Sequence, residues 1–180
     1  NFCFAGDIHK SHEAAVEKCR IFDGAIVDEP ADMVIASGMG FPKDINLYQT
    51  AAKPMNNSVG VLKKDPNAVM IVASECREGV GSADTDRMLH DFDNAHDREV
   101  YTRENYTIGL NVAYFLTQYA EDFHVILVSS LDPDLFKKTK IHTAKDISEA
   151  IELGKKLSGK EHPRTYLMPY AANTCGTLKA

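Results

Sequence analysis

The sequence predicts an α/β domain built on a mostly parallel sheet of about five strands, with helices on both faces. Three observations predict it. Five apolar, β-branched runs bounded by turn residues recur along the chain. They are near-continuous rather than alternating, the pattern of strands covered on both faces. Helical patterns lie between them, so strand and helix alternate. The 180 residues, 44% apolar and 26% charged, fit one globular domain and not a disordered chain.

The elements are expected in this order. Asn1 to Ala5 is the first strand, followed by a helix over His9 to Phe22 with Ala14, Ala15, Cys19 and Phe22 on one side. Asp32 to Ser37 (DMVIAS) is the second strand. A helix over Ile45 to Leu62 is interrupted by Pro54, which removes a backbone donor. Ala68 to Ser74 (AVMIVAS) is the third strand. Cys76 to Glu104 is the least regular region, with a polar, broken helix over Ala83 to Tyr101. Tyr106 to Phe123 carries the stripe Ile108, Val112, Phe115, Leu116 and Tyr119. His124 to Ser130 (HVILVSS) is the fourth strand. A helix over Thr143 to Leu157 begins with Thr143 and Asp146, spaced as a capping box. Arg164 to Tyr170 (RTYLMPY) closes the sheet. The crossovers are expected to be right-handed. No repeat or low-complexity linker divides the chain.

Composition excludes several functions. The net charge is −6 with no basic cluster, which argues against nucleic acid and anionic membrane as partners. No apolar run is long enough to cross a bilayer. Cys3, Cys19, Cys76 and Cys175 are scattered without a CxxC pair, so they read as free thiols of a reducing, cytoplasmic protein. The abrupt opening NFCFAGD, without an initiator methionine, reads as a fragment of a longer protein.

Ligands of open α/β sheets collect beyond the carboxyl ends of the strands. After the second strand comes Ser37-Gly38-Met39-Gly40-Phe41-Pro42-Lys43-Asp44. Its glycines permit positive φ or close approach, Asp44 suits a helix cap, and Lys43, Tyr48 and Gln49 are polar groups near the helix start. Lys53 falls roughly 140° round an ideal helix from Tyr48. A tight turn with a cap accounts for the same residues. After the third strand, ECREGVG offers Arg77 to grip a carboxylate, or pairs it with Glu75 or Glu78. Cys76 as a nucleophile lacks an activating base in the sequence. The fourth strand runs into Ser129-Ser130-Leu131-Asp132-Pro133. His9 and His12 share a helix face, but two ligands do not make a metal site. The acidic series Asp84, Asp86, Asp91, Asp93 and Asp97 lacks calcium-loop spacing and reads as a solvated face.

GFPKDINLYQ (40–49) resembles the strand-to-helix segment of the nickel-dependent lactate racemase family. Three further segments resemble the same family in the expected order: AGDIHKSHEAAVE (5–17), ASECREGVG (73–81) and LMPYAANT (167–174). The resemblance covers essentially the whole chain and implies the carboxyl-terminal domain of a two-domain racemase, residues 1–180, with the amino-terminal domain absent. It implies inversion of 2-hydroxy acids by hydride removal and return at C2. The cofactor implied is a nickel-pincer nucleotide, held mainly by the amino-terminal domain. No catalytic residue and no metal ligand is assigned to this chain. The implied substrate contacts are Tyr48, Gln49 and Lys53, with Phe41, Lys43, Asp44 and Arg77 lining the cleft. The implied partners are a small 2-hydroxy acid and the amino-terminal domain of the same protein. Lysine follows the tyrosine by four residues in the family pattern; here that place is Ala52, and Lys53 stands one later. Phe41 stands where tyrosine is frequent, and the chain has no tryptophan to lay an indole over substrate. These departures point away from lactate itself, toward another 2-hydroxy acid.

The chemistry agrees with that implication. A lysine ammonium and a helix amino terminus suit a carboxylate, and a tyrosine hydroxyl and glutamine amide suit a hydroxyl. A non-catalytic binding or assembly domain that keeps the family fold is the alternative. A stand-alone nucleotide-binding enzyme would need a phosphate loop, and GMGFPK has neither the length nor the terminal Lys-Ser/Thr of one.

Overall fold

Five parallel strands pair in the order β5-β4-β3-β2-β6: β2 (Met33–Ser37), β3 (Val69–Ala73), β4 (His124–Val128), β5 (Ile141–Ala144) and β6 (Thr165–Met168). This computed structural model describes residues 2–50 and 52–179. Alternate residues of each strand face opposite sides of the sheet, and here both sides are covered. Met33, Val69, Ile71 and Ile126 pack with Ala150 of α7 (Ile147–Ser158). Val34, Met70, Val72, Val125 and Leu127 face the other layer, with Met55 of α3 (Ala52–Ser58) and Leu116 of α6 (Ile108–Asp122). That double burial is why the strands read as unbroken apolar runs. Each large aliphatic chain buried there contributes about 1.5–3 kcal/mol.

Four of the five expected strands form the sheet. The expected first strand does not: residues 2–5 are irregular and exposed, and Asn1 lies outside the described residues. Phe2 has no strand to pair with and packs instead against Phe22, with its ring tilted and the centroids 5.4 Å apart. Helix α1 (Ile8–Asp23) forms as expected but buries none of its residues and leans chiefly on β1 (Gly24–Val27). That short strand pairs with β7 (Cys175–Leu178) in a separate two-stranded parallel sheet. The expected helix over Thr143 to Leu157 also changes: Thr143 belongs to β5, and Asp146 is the cap, accepting from Glu149 N at 2.9 Å. Glu149 in turn accepts from Lys145 N at 3.0 Å, so the reciprocal pair lies three residues later than its first apparent match and returns to the residue before the cap.

The polar region breaks where Arg98 needs it to. Between helices α4 (Ala83–His90) and α5 (Ala95–Glu104) the chain breaks at residues 91–94, and the buried Arg98 guanidinium of α5 donates to the carbonyls of Met88, Phe92 and Lys138. The acidic series does not converge. Asp84 accepts from Thr107, Asp91 pairs with Arg87, and Asp93 pairs with Lys138.

Asp32 fixes the amino-terminal end of the sheet. Its carboxylate accepts from Lys160 Nζ at 2.7 Å, from Arg164 N at 2.9 Å and from Lys63 Nζ. One side chain thus ties the starts of β2 and β6 to the helix-to-strand segments that precede β3 and β6. Burial alone would raise this carboxyl, but the bonds from Lys160, Lys63 and Arg164 outweigh it and hold it well below the usual carboxylate range. The stabilisation is therefore complete above the unfolded carboxyl pKa of about 4 and fades as pH falls below it. Asp32→Asn should cost roughly 1–3 kcal/mol at pH 7, less than a fully buried pair because both lysines are part-exposed. Thermal melts from pH 7 down to pH 3 check this: the gap between wild type and variant should shrink as the pH drops.

Candidate functional site

The loop after β2 is shaped by two glycines with different tasks. Gly38 N donates to Ala73 O at 2.8 Å, extending the pairing with β3 by one residue. A Cβ on Gly38 would lie 2.6 Å from Thr50 Oγ1, so only glycine lets helix α2 (Leu47–Thr50) come this close. Thr50 uses the proximity: its hydroxyl meets Ser74 Oγ at 2.6 Å, and Ser74 meets Cys76 Sγ at 3.2 Å. Gly40 has φ +72°, the left-handed region, beside Met39 at φ +74°. The chain then turns through Phe41 and Pro42 into Lys43, whose amide returns to Gly40 O at 2.9 Å.

The two segments that the sequence analysis brought together are stitched to each other. Cys76 N donates to Asp44 O at 3.0 Å and Glu78 N to Ile45 O at 2.9 Å. Leu47 N donates to Gly79 O at 3.1 Å and Tyr48 N to Val80 O at 3.0 Å. Asp44 is buried and its carboxylate accepts from Glu75 N at 3.3 Å. This corrects the expectation that Asp44 caps the helix. The cap is Asn46, whose Oδ1 accepts from Gln49 N at 2.9 Å.

A cavity of about 570 Å³ opens beside this unit. Strand β6 lies next to β2, with Met168 opposite Ala36, so the chain leaving β6 emerges against the β2 loop. The cavity lies between them, lined by Lys43, Asn46, Gln49, Lys53, Glu78 and Asn173 among others. Lys43 Nζ donates to Asn173 Oδ1 at 3.1 Å, and Lys53 Nζ to Gln49 Oε1 at 3.4 Å. Lys53 lies in α3, one residue after Ala52, and the burial of these two positions settles its direction. Ala52 is buried, while Lys53 is exposed on the cavity wall. A lysine one residue earlier would point into the core.

The remaining expected residues lie elsewhere. Tyr48 is half-buried and outside the lining of this cavity. Phe41 is exposed, with the Arg77 guanidinium 5.4 Å from its ring centre, and Arg77 also pairs with Glu75 at 2.7 Å. Asp44 faces a second depression of about 500 Å³ at the ends of β2, β3 and β4, with Ser74, Ser129 and Lys145. LMPYAANT reaches the site through Asn173, but AGDIHKSHEAAVE does not, because it lies on α1. Sequence reasoning passed over Asn46 and Asn173, although both lie inside quoted segments. Their signal is an amide side chain next to a turn, which sequence alone cannot separate from a solvated loop. Among the described residues no three metal-ligating side chains converge.

The profile of the lactate racemase C-terminal domain matches residues 26–169, four-fifths of the chain. The chain belongs to that family. In structure this racemase-family domain is similar to the lactate racemase apoprotein from Thermoanaerobacterium thermosaccharolyticum. The TM-score is 0.79 at 24% identity, covering 93% of this chain and 40% of that one. It is also similar to a protein from Thermotoga maritima, with TM-score 0.60 at 16% identity, covering 95% of this chain and 42% of that one. At such identities the likeness is one of fold. The chain spans about 40% of the length of the racemase structure it matches. No curated protein matches it by sequence.

Within this lactate racemase C-terminal domain Cys76 is a structural residue. It is buried with φ +54°, and desolvation pushes its thiol up to about 11 despite the bond from Ser74. Such a thiol stays protonated at pH 8 and is a poor nucleophile. Iodoacetamide at pH 8 should alkylate the exposed Cys3, Cys19 and Cys175 and spare Cys76 until the protein unfolds, as read by peptide mass spectrometry.

Proposed function

We propose that this chain is the substrate-side domain of a two-domain 2-hydroxyacid racemase or epimerase, in which it binds and orients the acid. The observation that carries the reading is the cavity where Lys43 and Gln49 of GFPKDINLYQ, with Lys53 just beyond it, meet Asn173 from the chain that leaves β6. Family membership supports the reaction class. A lysine ammonium holds the carboxylate as a charge-assisted partner, and the neighbouring amides hold the C2 hydroxyl. Lys53 fills the place of the family lysine, one residue later in sequence. Tyr48, outside the cavity in this domain alone, faces the cleft that the amino-terminal domain closes.

The donor set of these residues does not fit a nickel centre, since no three ligating side chains converge among the described residues. On this reading the nickel-pincer nucleotide belongs to the amino-terminal domain and supplies the hydride chemistry at C2. This chain's own task is positioning.

A full-length protein matured with its cofactor should racemise at least one 2-hydroxy acid, while residues 1–180 alone should not. Lys53→Ala and Gln49→Ala should each lower kcat/KM by roughly ten- to a hundredfold, the range of a lost charge-assisted or buried hydrogen bond. Chiral chromatography of the products measures both. The position of Tyr48 outside the cavity favours the second reading, a non-catalytic assembly domain. No turnover of a broad panel by the holoprotein would favour it over the first.

A further inference from the structure

The cavity holds more positive charge than a simple hydroxy acid needs. Lys43 and Lys53 both line it, and both donate to neutral acceptors: Lys43 to the Asn173 amide and to Met39 Sδ, Lys53 to the Gln49 amide. Among the described residues neither ammonium is ion-paired. By contrast, Lys63, Lys137, Lys138, Lys140, Lys155, Lys160 and Lys179 meet carboxylates. One acid, Glu78, stands on the same wall against two ammoniums. Two unneutralised cations on one concave surface make a site for an anion with two charged ends. The volume of about 570 Å³ leaves room well beyond a three-carbon acid.

We propose that the substrate carries a second carboxylate, a short 2-hydroxy dicarboxylate, with Lys53 holding the carboxylate next to C2 and Lys43 the distal one. The inference rests on the substrate-side reading above. Lys43 is well placed for this because it is anchored, not stretched away. Its amide is tied to Gly40, its ammonium is held by Asn173, and Asn173 itself is fixed by a turn in which its amide donates to Tyr170 O at 2.9 Å. An incoming carboxylate replaces an amide oxygen as the acceptor, a neutral partner for a charged one. Lys43 and Asn173 thus set substrate choice and do not touch the reacting carbon.

The test compares 2-hydroxysuccinate with 2-hydroxybutyrate, equal in carbon count and differing by one carboxylate. Binding to the full-length holoprotein is measured by calorimetry and racemisation by chiral chromatography. The dicarboxylate should bind at least about tenfold more tightly, as expected for one charge-assisted contact. Lys43→Met should weaken 2-hydroxysuccinate binding at least about tenfold more than 2-hydroxybutyrate binding, and Lys43→Arg should restore most of the preference. Asn173→Asp, which gives Lys43 a carboxylate of its own, should reproduce the loss. Lys43 is exposed, so its variants should melt with the wild type. Equal affinity for the two acids, a Lys43→Met effect that is the same for both, or no binding of either overturns the inference. Tight dicarboxylate binding without racemisation would instead sink the racemase reading and leave the two-anion pocket standing.

Discussion

The candidate site depends on the pairing of two loops that leave neighbouring strands. Residues 44–48 and 76–80 exchange four backbone hydrogen bonds, and the buried Asp44 carboxylate adds a fifth contact to Glu75 N. The first turn of α2, from Leu47, gains little from its own hydrogen bonds, because the first amides of a helix have no partner within it. Its first two amides have their partners in the other loop, at Gly79 and Val80. Without that pairing Gln49 and Lys53 would sit on a frayed segment. With it, they stand on a wall as fixed as the sheet below, because Gly38 seats Thr50 against Ser74 of the next strand end. A binding site is more accurate when its side chains rest on packed elements.

The rest of the fold supplies the position of that wall. Parallel strands bring every carboxyl end to one edge, and the placement of β6 beside β2 brings the last segment of the chain to the same edge. Asp32 closes the opposite edge with Lys63, Lys160 and Arg164. The two ends of the sheet have opposite characters. At one, lysines are neutralised by a carboxylate; at the other, two lysines face a cavity and donate to amides, with no carboxylate bonded to either. The same residue type is structural in the first place and available for binding in the second, and the difference lies in what the neighbouring side chains are.

Much of the sheet was legible in the sequence because both of its faces are buried. AVMIVAS and HVILVSS could hardly be anything but inner strands. Edge elements were not legible. IHTA of β5 is too short and too polar to stand out, and the expected helix takes its Thr143 and Ala144. The opening NFCFA has strand composition but finds no partner strand, so its pattern alone was misleading. The site was half legible. Gln49, Lys53 and Lys43 meet in the cavity, but the cap fell to Asn46 and not to Asp44, whose burial is set by the other loop. Asn173 was out of reach, since its closeness to Lys43 follows from strand order across 130 residues of chain.

The central claim is that GFPKDINLYQ and ECREGVG form one rigid unit, and amide hydrogen exchange tests it most directly. In the folded protein the amides of Leu47, Tyr48, Cys76 and Glu78 should exchange slowly and at similar rates, close to those of β2 and β3. Exchange of these four at the rate of open loops, with β3 still protected, would contradict it.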